Sequence, residues 1–195
     1  MKTDWKPTQQ QNEMEQLLIE QCLAGDRKAQ YQVYQQYSKA MFNICVRMLN
    51  DMNEAEDVLQ EAFLSVFRKI NQFQGNSTLG AWIKRIVINQ CINQIKKRKL
   101  DVRSMEETHF QEPEDLSAGF SSAGFSESEQ EAVWQIDEVR EAIQELPDGF
   151  RVVFSLYLIE GYDHQEIAGI LGISESTSKS QFSRAKAKLR EKLMR

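Results

Sequence analysis

The sequence contains little proline, glycine, cysteine and histidine, and these shortages exclude several classes of protein. Its 195 residues include three prolines, nine glycines, three cysteines and two histidines. So few helix breakers, together with few alternating runs of β-branched residues, favour an all-α fold. Cys22, Cys45 and Cys91 are odd in number and widely spaced, which argues against a disulfide framework or a zinc cluster. We therefore expect three reduced thiols within helical apolar patterns.

Two further absences concern export and catalysis. No apolar run approaches the roughly 18–20 residues that cross a bilayer, and the N-terminal stretch MKTDWKPTQQQNEMEQ is polar, unlike an export signal. His109 and His164 are the only histidines, and neither a nucleophile–base arrangement nor a metal-ligand spacing is visible. We expect a cytoplasmic protein without membrane insertion, which is not an enzyme and needs no cofactor or metal.

Charge is distributed unevenly along the chain, although the formal net charge is only −5. Residues 101–131 carry nine acidic side chains against one arginine, a net charge of −8. Residues 84–99 carry six cations and no anion, and residues 174–195 carry seven cations and two anions. Positive helical segments separated by a negative connector are informative about binding partners, whereas the total charge is not.

The acidic segment divides the chain into two predicted helical domains. Residues 101–130 include the run SAGFSSAGFSESE, which has little helical periodicity and cannot bury enough apolar surface to offset its ordering entropy. We read this segment as a flexible linker. The predicted organisation is an N-terminal tail over 1–12, a helical domain over 13–100, and a helix-turn-helix domain over 131–195.

Four helical stretches are predicted in the N-terminal domain, the first over about residues 13–24. The later ones begin at polar residues that can accept from the free N–H groups of a first turn. These predicted caps are Asp26 for the second helix, Asn53 for the third, and Ser77 or Thr78 for the fourth. The fourth helix is expected to run into the cations of residues 96–99.

The stretch QEIAGILGISESTSKSQFSRAKAKLREK, residues 165–192, predicts two helices around a glycine turn. Asp163 and Glu166 have capping-box spacing, and Gly172 suits a left-handed turn. The apolar seam would be Ile167, Leu171, Ile173 and Phe182. The last helix would expose hydroxyls and cations, which suit phosphates and purine acceptors: Ser176, Lys179, Ser180, Ser183, Arg184 and Lys188. The alternative is a helical hairpin with a solvated basic face that only closes a core.

A second stripe of polar side chains lies in the N-terminal domain. Trp82, Arg85, Asn89, Asn93 and Lys96 recur at steps of three and four residues, which places them on one helix face. An arginine and two asparagines beside a tryptophan can pair with base edges and stack on an unpaired base. The alternative is the ordinary hydrated face of an amphipathic helix.

The stretch AEDVLQEAFLSVFRKI, residues 55–70, predicts a third kind of surface. Opposite its apolar stripe lie Asp57, Gln60, Glu61 and Leu64, an acidic face with one aliphatic side chain. Acidic side chains would repel DNA, so this face suits a basic protein partner. The alternative is a set of solvated charges without a partner, the usual state of such residues.

These three features, in this order, resemble the sigma-70 family of bacterial transcription initiation factors, specifically its extracytoplasmic-function (ECF) subgroup. AEDVLQEAF is similar to the polymerase-binding helix of that family. FQGNSTLGAWIKRIVINQCINQIKKRK is similar to its promoter-melting and −10-element segment. The stretch from LPDGF to REKL, residues 146–193, is similar to the −35-reading domain of that family. The resemblance covers nearly the whole chain apart from the first dozen residues and the linker.

The resemblance implies a role for each motif. The acidic face of Asp57, Gln60, Glu61 and Leu64 would meet the β′ coiled coil of core RNA polymerase, with the β subunit as a further contact. The −10 element would lie near Asn76, Ser77, Trp82, Arg85, Asn89, Asn93 and Lys96. The −35 element would face Thr177, Lys179, Ser180, Ser183 and Arg184. An anti-sigma factor is a further expected partner.

The sequence departs from the family pattern within its last helix. Ser176 and Ser178 stand where Gly and Val are common, and Gln181 stands where a basic residue is frequent. Two other functions stay open from the residues alone. One is a DNA-binding repressor or activator that uses only the C-terminal domain and dimerises through the rest. The other is an interaction protein whose basic helices bind an acidic partner.

Overall fold

The computed structural model describes residues 9–105 and 136–194, and within these ranges every regular element is a helix or helical turn. The predicted all-α fold is therefore confirmed for this part of the chain. The N-terminal part contains α1 (Gln9–Leu23), α2 (Arg27–Leu49), α3 (Met52–Lys69), a short 3-10 turn (Ile70–Gln72) and α4 (Leu79–Met105). The C-terminal part contains α5 (Ile136–Gln144), α6 (Asp148–Phe154) with a π turn (Ser155–Ile159), α7 (His164–Leu171) and α8 (Glu175–Leu193).

Side-chain caps define where the N-terminal helices begin. Asp26 accepts a hydrogen bond from the backbone N–H of Lys28 at 2.8 Å, as predicted. The prediction of Asn53 as the cap of α3 is wrong. Asp51, in extended backbone, caps this helix by accepting from the N–H of Glu54 at 2.9 Å. Asn53 lies already within the first turn, because an aspartate three residues before Glu54 reaches its N–H group.

Two helices extend further than their sequence patterns predicted. Helix α1 begins at Gln9, inside the segment read as a tail over 1–12, because its run of glutamines has good helix propensity. Helix α4 continues to Met105, five residues beyond the predicted domain end at residue 100. No glycine or proline interrupts it there. Residues 106–135 lie outside the described residues, so the linker remains a prediction.

The core of the N-terminal part lies between α2, α3 and α4. Large side chains with less than 2% exposure come from all three helices, among them Val33, Met48, Val66, Ile83 and Ile88. The three cysteines are free thiols and are buried in this core, as expected. Burial raises the pKa of the Cys22 thiol, and a contact with Cys45, together with burial, raises the pKa of Cys91.

The helix-turn-helix forms as the sequence predicted. Asp163 and Glu166 make both hydrogen bonds of a capping box at the start of α7. Gly172 ends α7 in the left-handed conformation with φ of 70°, which glycine adopts without steric cost. Ser174 then caps α8 by accepting from the N–H of Thr177 at 3.0 Å. Helix α6 begins at Asp148, directly after Pro147.

The two parts of the chain share one hydrophobic core. Val152, Val153, Leu156 and Ile167 of the C-terminal part are buried in the same cluster as the α2–α4 core. A smaller cluster of Ala142, Leu146, Phe154, Ala185 and Leu189 holds α5, α6 and α8 together. Among the helices of the described residues, none has both the length and the apolar character to span a membrane.

Candidate nucleic-acid and protein interfaces

The acidic face of α3 is exposed as the sequence predicted. Asp57, Gln60 and Glu61 lie on the surface, and the Leu64 side chain is 60% exposed. The opposite face of the same helix is buried in the core through Val58, Leu59, Ala62, Phe63 and Val66. An exposed leucine among carboxylates and an amide is the composition of a protein-docking surface with a charged rim.

A groove beside this face was missed by the sequence reading. Tyr34, Ser38, Lys39 and Phe42 of α2 line a cavity of about 340 Å³ together with Glu56, Leu59 and Gln60 of α3. The Tyr34 ring meets the Phe63 ring edge-on at 4.9 Å, which fixes one wall of the groove. Only the packing of α2 on α3 brings these residues together, so no local pattern could have identified them.

The loop before α4 carries two of the predicted −10 residues on the surface. Asn76 and Ser77 are exposed, and Thr78 caps the helix by accepting from the N–H of Ala81 at 3.2 Å. The loop is anchored at its start by a contact between the rings of Phe73 and Trp82, whose centroids are 5.6 Å apart. Trp82 is consequently half-buried, with part of its ring available at the surface.

Helix α1 supplies a second anchor for the start of α4. The Glu15 carboxylate accepts from the N–H of Leu79 at 3.2 Å and from the Tyr37 hydroxyl at 3.4 Å. Burial and the neighbouring Glu15 raise the pKa of Tyr37 to about 12. A Cβ at Gly80 would lie 2.9 Å from the Tyr37 ring, so this position fits only glycine without movement. Glu15 is 64 residues from Leu79, and no spacing in the sequence connects them.

The polar stripe of α4 forms one surface, as predicted. Arg85, Asn89, Asn93 and Lys96 are exposed. The opposite side of α4 is buried through Ile83, Val87, Ile88, Cys91 and Ile95. This helix therefore presents two cations and two amides in a row that starts at the half-buried Trp82. Amides and cations can bond base edges and phosphates, and the indole can stack on a base.

The polar face of α8 carries the predicted −35 residues. Lys179, Ser180, Ser183 and Arg184 are exposed, and Thr177 is half-buried. The Lys179 ammonium lies 2.6 Å from the Glu175 carboxylate, an exposed pair one helical turn apart. Exposed pairs of this kind contribute little to stability, so Lys179 can leave Glu175 for a phosphate at small cost. This surface suits nucleic acid.

Of the three residues interpreted from the sequence as departures from the family pattern, two do not lie on this polar face. Ser178 is fully buried, and its hydroxyl lies 2.9 Å from Nδ1 of His164. The His164 ring stacks on Tyr157 at 4.4 Å, so the serine completes a buried polar contact between α7 and α8. Gln181 lines a cavity between α4 and the helix-turn-helix. Only Ser176 among the three is exposed, beside the Ser174 hydroxyl at 2.9 Å.

Comparisons with known proteins agree with this arrangement. Residues 33–100 match Sigma-70 region 2, and residues 136–189 match Sigma-70, region 4. The chain is 30% identical over 176 residues to the ECF RNA polymerase sigma factor SigW of Bacillus subtilis, covering 90% of this chain and 94% of SigW. It is also 30% identical over 178 residues to the RNA polymerase sigma-H factor of Pseudomonas aeruginosa, covering 89% and 91% of the two chains.

A solved structure shares the same fold. The sigma factor RpoE of Bartonella quintana, crystallised with the anti-sigma factor NepR, superposes with a TM-score of 0.56 at 22% identity. The match covers 84% of this chain and 96% of RpoE. Region 2 corresponds to α2, α3 and most of α4, and region 4 to α5–α8 up to residue 189. The chain thus belongs to the ECF RNA polymerase sigma factors of the sigma-70 family, non-enzymatic initiation factors that direct promoter-specific transcription.

Proposed function

We propose that this factor reads a promoter at two places with two different helices. The polar stripe of α4, with Asn76 and Ser77 before it, contacts the −10 element. The polar face of α8, from Thr177 to Arg184, contacts the −35 element in duplex form. The observation that carries this proposal is that each stripe is exposed along one helix while the opposite side of that helix is buried.

The acidic face of α3 binds core RNA polymerase in this proposal. Asp57, Gln60 and Glu61 would pair with a basic surface of the β′ coiled coil, and Leu64 would supply an apolar contact. The neighbouring α2–α3 groove would provide a concave surface in which a helix of the coiled coil packs. Region 4 would contact the β subunit. The acidic character of the α3 face favours a basic protein over DNA, because phosphates would be repelled.

Promoter opening follows from capture of unpaired bases. Extruding a base costs a few kcal/mol of stacking and pairing, and a base stacked on an aromatic side chain recovers about 1–3 kcal/mol. Trp82 and the amides of Asn89 and Asn93 would hold bases that leave the duplex. The factor supplies binding energy, and polymerase carries out the chemistry of RNA synthesis.

An anti-sigma factor is a further proposed partner, and the bacterial cytosol is the proposed location. RpoE of similar fold was crystallised with the anti-sigma factor NepR. Promoter DNA and core polymerase, the two other proposed partners, are both cytosolic in bacteria.

Transcription from a library of randomised templates tests the two DNA contacts separately. Templates that yield transcripts with core polymerase are sequenced for the wild type, Asn89→Ala and Arg184→Ala. We expect Asn89→Ala to relax base preference only in the −10 element, and Arg184→Ala only in the −35 element. Lys192→Ala, on α8 but paired with Glu145 directly after α5, is the matched control and should retain the wild-type preferences. Identical preferences in all four proteins would refute the assignment.

A further inference from the structure

Helix α1 lies outside the part of the chain that matches Sigma-70 region 2, yet it packs on that region. Leu18 and Ile19 are partly buried against the core of α2, α3 and α4, and Cys22 is 3% exposed. The same helix lies against the 3-10 turn (Ile70–Gln72), which leads into the loop of residues 73–78. Buried contacts therefore fix the position of α1 beside this loop.

The loop of residues 73–78 is anchored at its start and exposed beyond that point. The N–H of Phe73 donates to the Ile70 carbonyl at 3.1 Å, and its ring contacts the ring of Trp82. Residues 74–78 are exposed. The side chains proposed to meet the −10 element thus depend on the two ends of the loop for their position.

Glu15 of α1 holds the other end of the loop. Its carboxylate accepts from the N–H of Leu79, the first residue of α4, at 3.2 Å. The first N–H groups of a helix have no partner within the helix, and a negative charge is favourable beside them. The Tyr37 hydroxyl donates to the same carboxylate at 3.4 Å. Burial and the charge of Glu15 raise the pKa of Tyr37 to about 12, so this hydroxyl keeps its proton at neutral pH. One side chain of α1 therefore joins α2 to the start of α4.

The first turn of α4 connects the loop to Trp82. The Trp82 N–H donates to the Thr78 carbonyl at 3.1 Å, so a movement of this turn changes the position of the indole relative to Asn76 and Ser77. The groups of a binding site must be held within about 0.5 Å of their productive geometry. Helix ends fray, and α4 begins within the proposed −10 surface. An acceptor that keeps this turn closed consequently affects base capture as well as stability.

We propose that Glu15 is a positioning residue for base capture, which holds the loop of residues 73–78 and Trp82 in the geometry that selects an unpaired −10 base. The inference rests on the −10 contact of the proposed function. Glu15 itself does not touch DNA and acts through Leu79 and Tyr37. Without its carboxylate, the loop samples several conformations. Bases other than the preferred one are then accepted more readily, and less binding energy is available for promoter opening.

Three variants of the full-length chain separate positioning from stability. Glu15→Ala removes the acceptor, whereas Glu15→Gln keeps an acceptor oxygen. Asp26→Ala is the matched control, because Asp26 caps α2 by accepting from the N–H of Lys28 rather than from the start of α4. Loss of either acceptor should lower the stability of this part of the chain by a comparable amount.

Selection of active templates from the randomised library with core polymerase measures base preference. Glu15→Ala should reduce the preference for the favoured −10 base at least about fivefold, the smallest effect expected when one stacked base is no longer held. Its −35 preference should stay unchanged, and Glu15→Gln should recover part of the −10 preference. Asp26→Ala should keep the wild-type preferences, since fewer folded molecules change the yield of transcript and not the base that is chosen. A wild-type −10 preference in Glu15→Ala, or an equal relaxation in Asp26→Ala, would overturn the proposal.

A promoter unpaired in advance over the −10 element gives a second readout. With saturating holoenzyme, Glu15→Ala should lower the transcript from duplex promoter at least about fivefold. On the unpaired template it should come within about twofold of wild type, because the cost of extruding bases has been removed. An equal loss on both templates would indicate a purely structural role for Glu15 and overturn the proposal.

The wild type separates failure of this inference from failure of the proposed function. A wild type without any −10 base preference, with core polymerase active on a control factor, would overturn the proposed function. A wild-type −10 preference that Asn89→Ala relaxes and Glu15→Ala leaves intact would overturn the role of Glu15 alone.

Discussion

At the scale of single residues, the buried polar contacts explain positions that the sequence pattern left unexplained. Ser178, interpreted from the sequence as a departure from the family pattern, is buried against His164 and does not lie on the exposed face of α8. The Ser178 hydroxyl and Nδ1 of His164 are partners of one another, so neither atom is left unsatisfied. Arg151 similarly has buried carbonyl partners at Leu146 and Met48. We expect these buried side chains to contribute to stability, whereas the hydroxyls and cations of α8 proposed to bind DNA are exposed.

Replacing Ser178 and Ser183 in turn should give opposite results. Ser178→Ala leaves His164 without its buried partner, so the free energy of unfolding should fall by about 1–3 kcal/mol while −35 base preference is kept. Ser183→Ala removes an exposed hydroxyl and should weaken −35 recognition with unfolding within about 0.5 kcal/mol of wild type. Urea unfolding and promoter selection measure the two effects. The assignment fails if Ser178→Ala alone alters the base preference.

Glu15 gives a second prediction at this scale. Glu15→Ala removes the acceptor for the Leu79 N–H and the Tyr37 hydroxyl, which should lower the free energy of unfolding by about 1 kcal/mol. Glu15→Gln keeps an acceptor oxygen and should recover part of that loss. Urea denaturation of the three proteins measures the difference. Equal midpoints and slopes for wild type and Glu15→Ala would show that α1 does not anchor the start of α4.

At the scale of helices, most elements could be predicted because the residues that start and end a helix lie within a few positions of its ends. The capping box of Asp163 and Glu166 and the left-handed Gly172 are short-range patterns, and both were predicted and confirmed. The cap of α3 was misplaced by two residues, since Asp51 and Asn53 are equally good caps in sequence. The lengths of α1 and α4 were underestimated, because a polar run without glycine or proline contains no signal for where the helix begins or ends.

The acidic face of α3 gives a prediction at this scale. Asp57→Arg reverses a charge on an exposed face whose helix is fixed by buried contacts on the other side, so the fold should be kept. Binding to core polymerase should fall at least about tenfold, because a cation would repel a basic partner. Co-elution with core polymerase in size-exclusion chromatography measures this binding.

Glu20→Arg on α1 is the matched control for this charge reversal. Glu20 is exposed, and its backbone carbonyl alone makes the cap contact with Ala24. The variant carries the same change in net charge as Asp57→Arg, and we expect it to co-elute with core polymerase like the wild type. Loss of binding by both variants would indicate a general charge effect. Retained binding by Asp57→Arg would remove α3 from the polymerase interface.

At the scale of the whole molecule, the arrangement of the two regions could not be predicted from the sequence. Contacts such as that between Arg47 and Glu160 join residues 113 positions apart. Helical periodicity in the sequence cannot indicate such a pair. The groove of Tyr34 and Phe42 beside α3, and the Glu15 anchor, were missed for the same reason. The exposed stripes of α3, α4 and α8 that are proposed to bind polymerase and DNA were predicted more fully, since such stripes follow helical periodicity. Their partners remain proposals.

The central claim is that this chain gives core polymerase its promoter specificity, and transcription run-off tests it most directly. Purified core polymerase is incubated with a template bearing a selected promoter, with and without this protein, and duplex binding by the protein alone is measured in parallel. The account predicts a discrete transcript from one start site only when both proteins are present, and weak duplex binding by the factor alone. Tight sequence-specific duplex binding without any transcript would contradict it and indicate a repressor or activator.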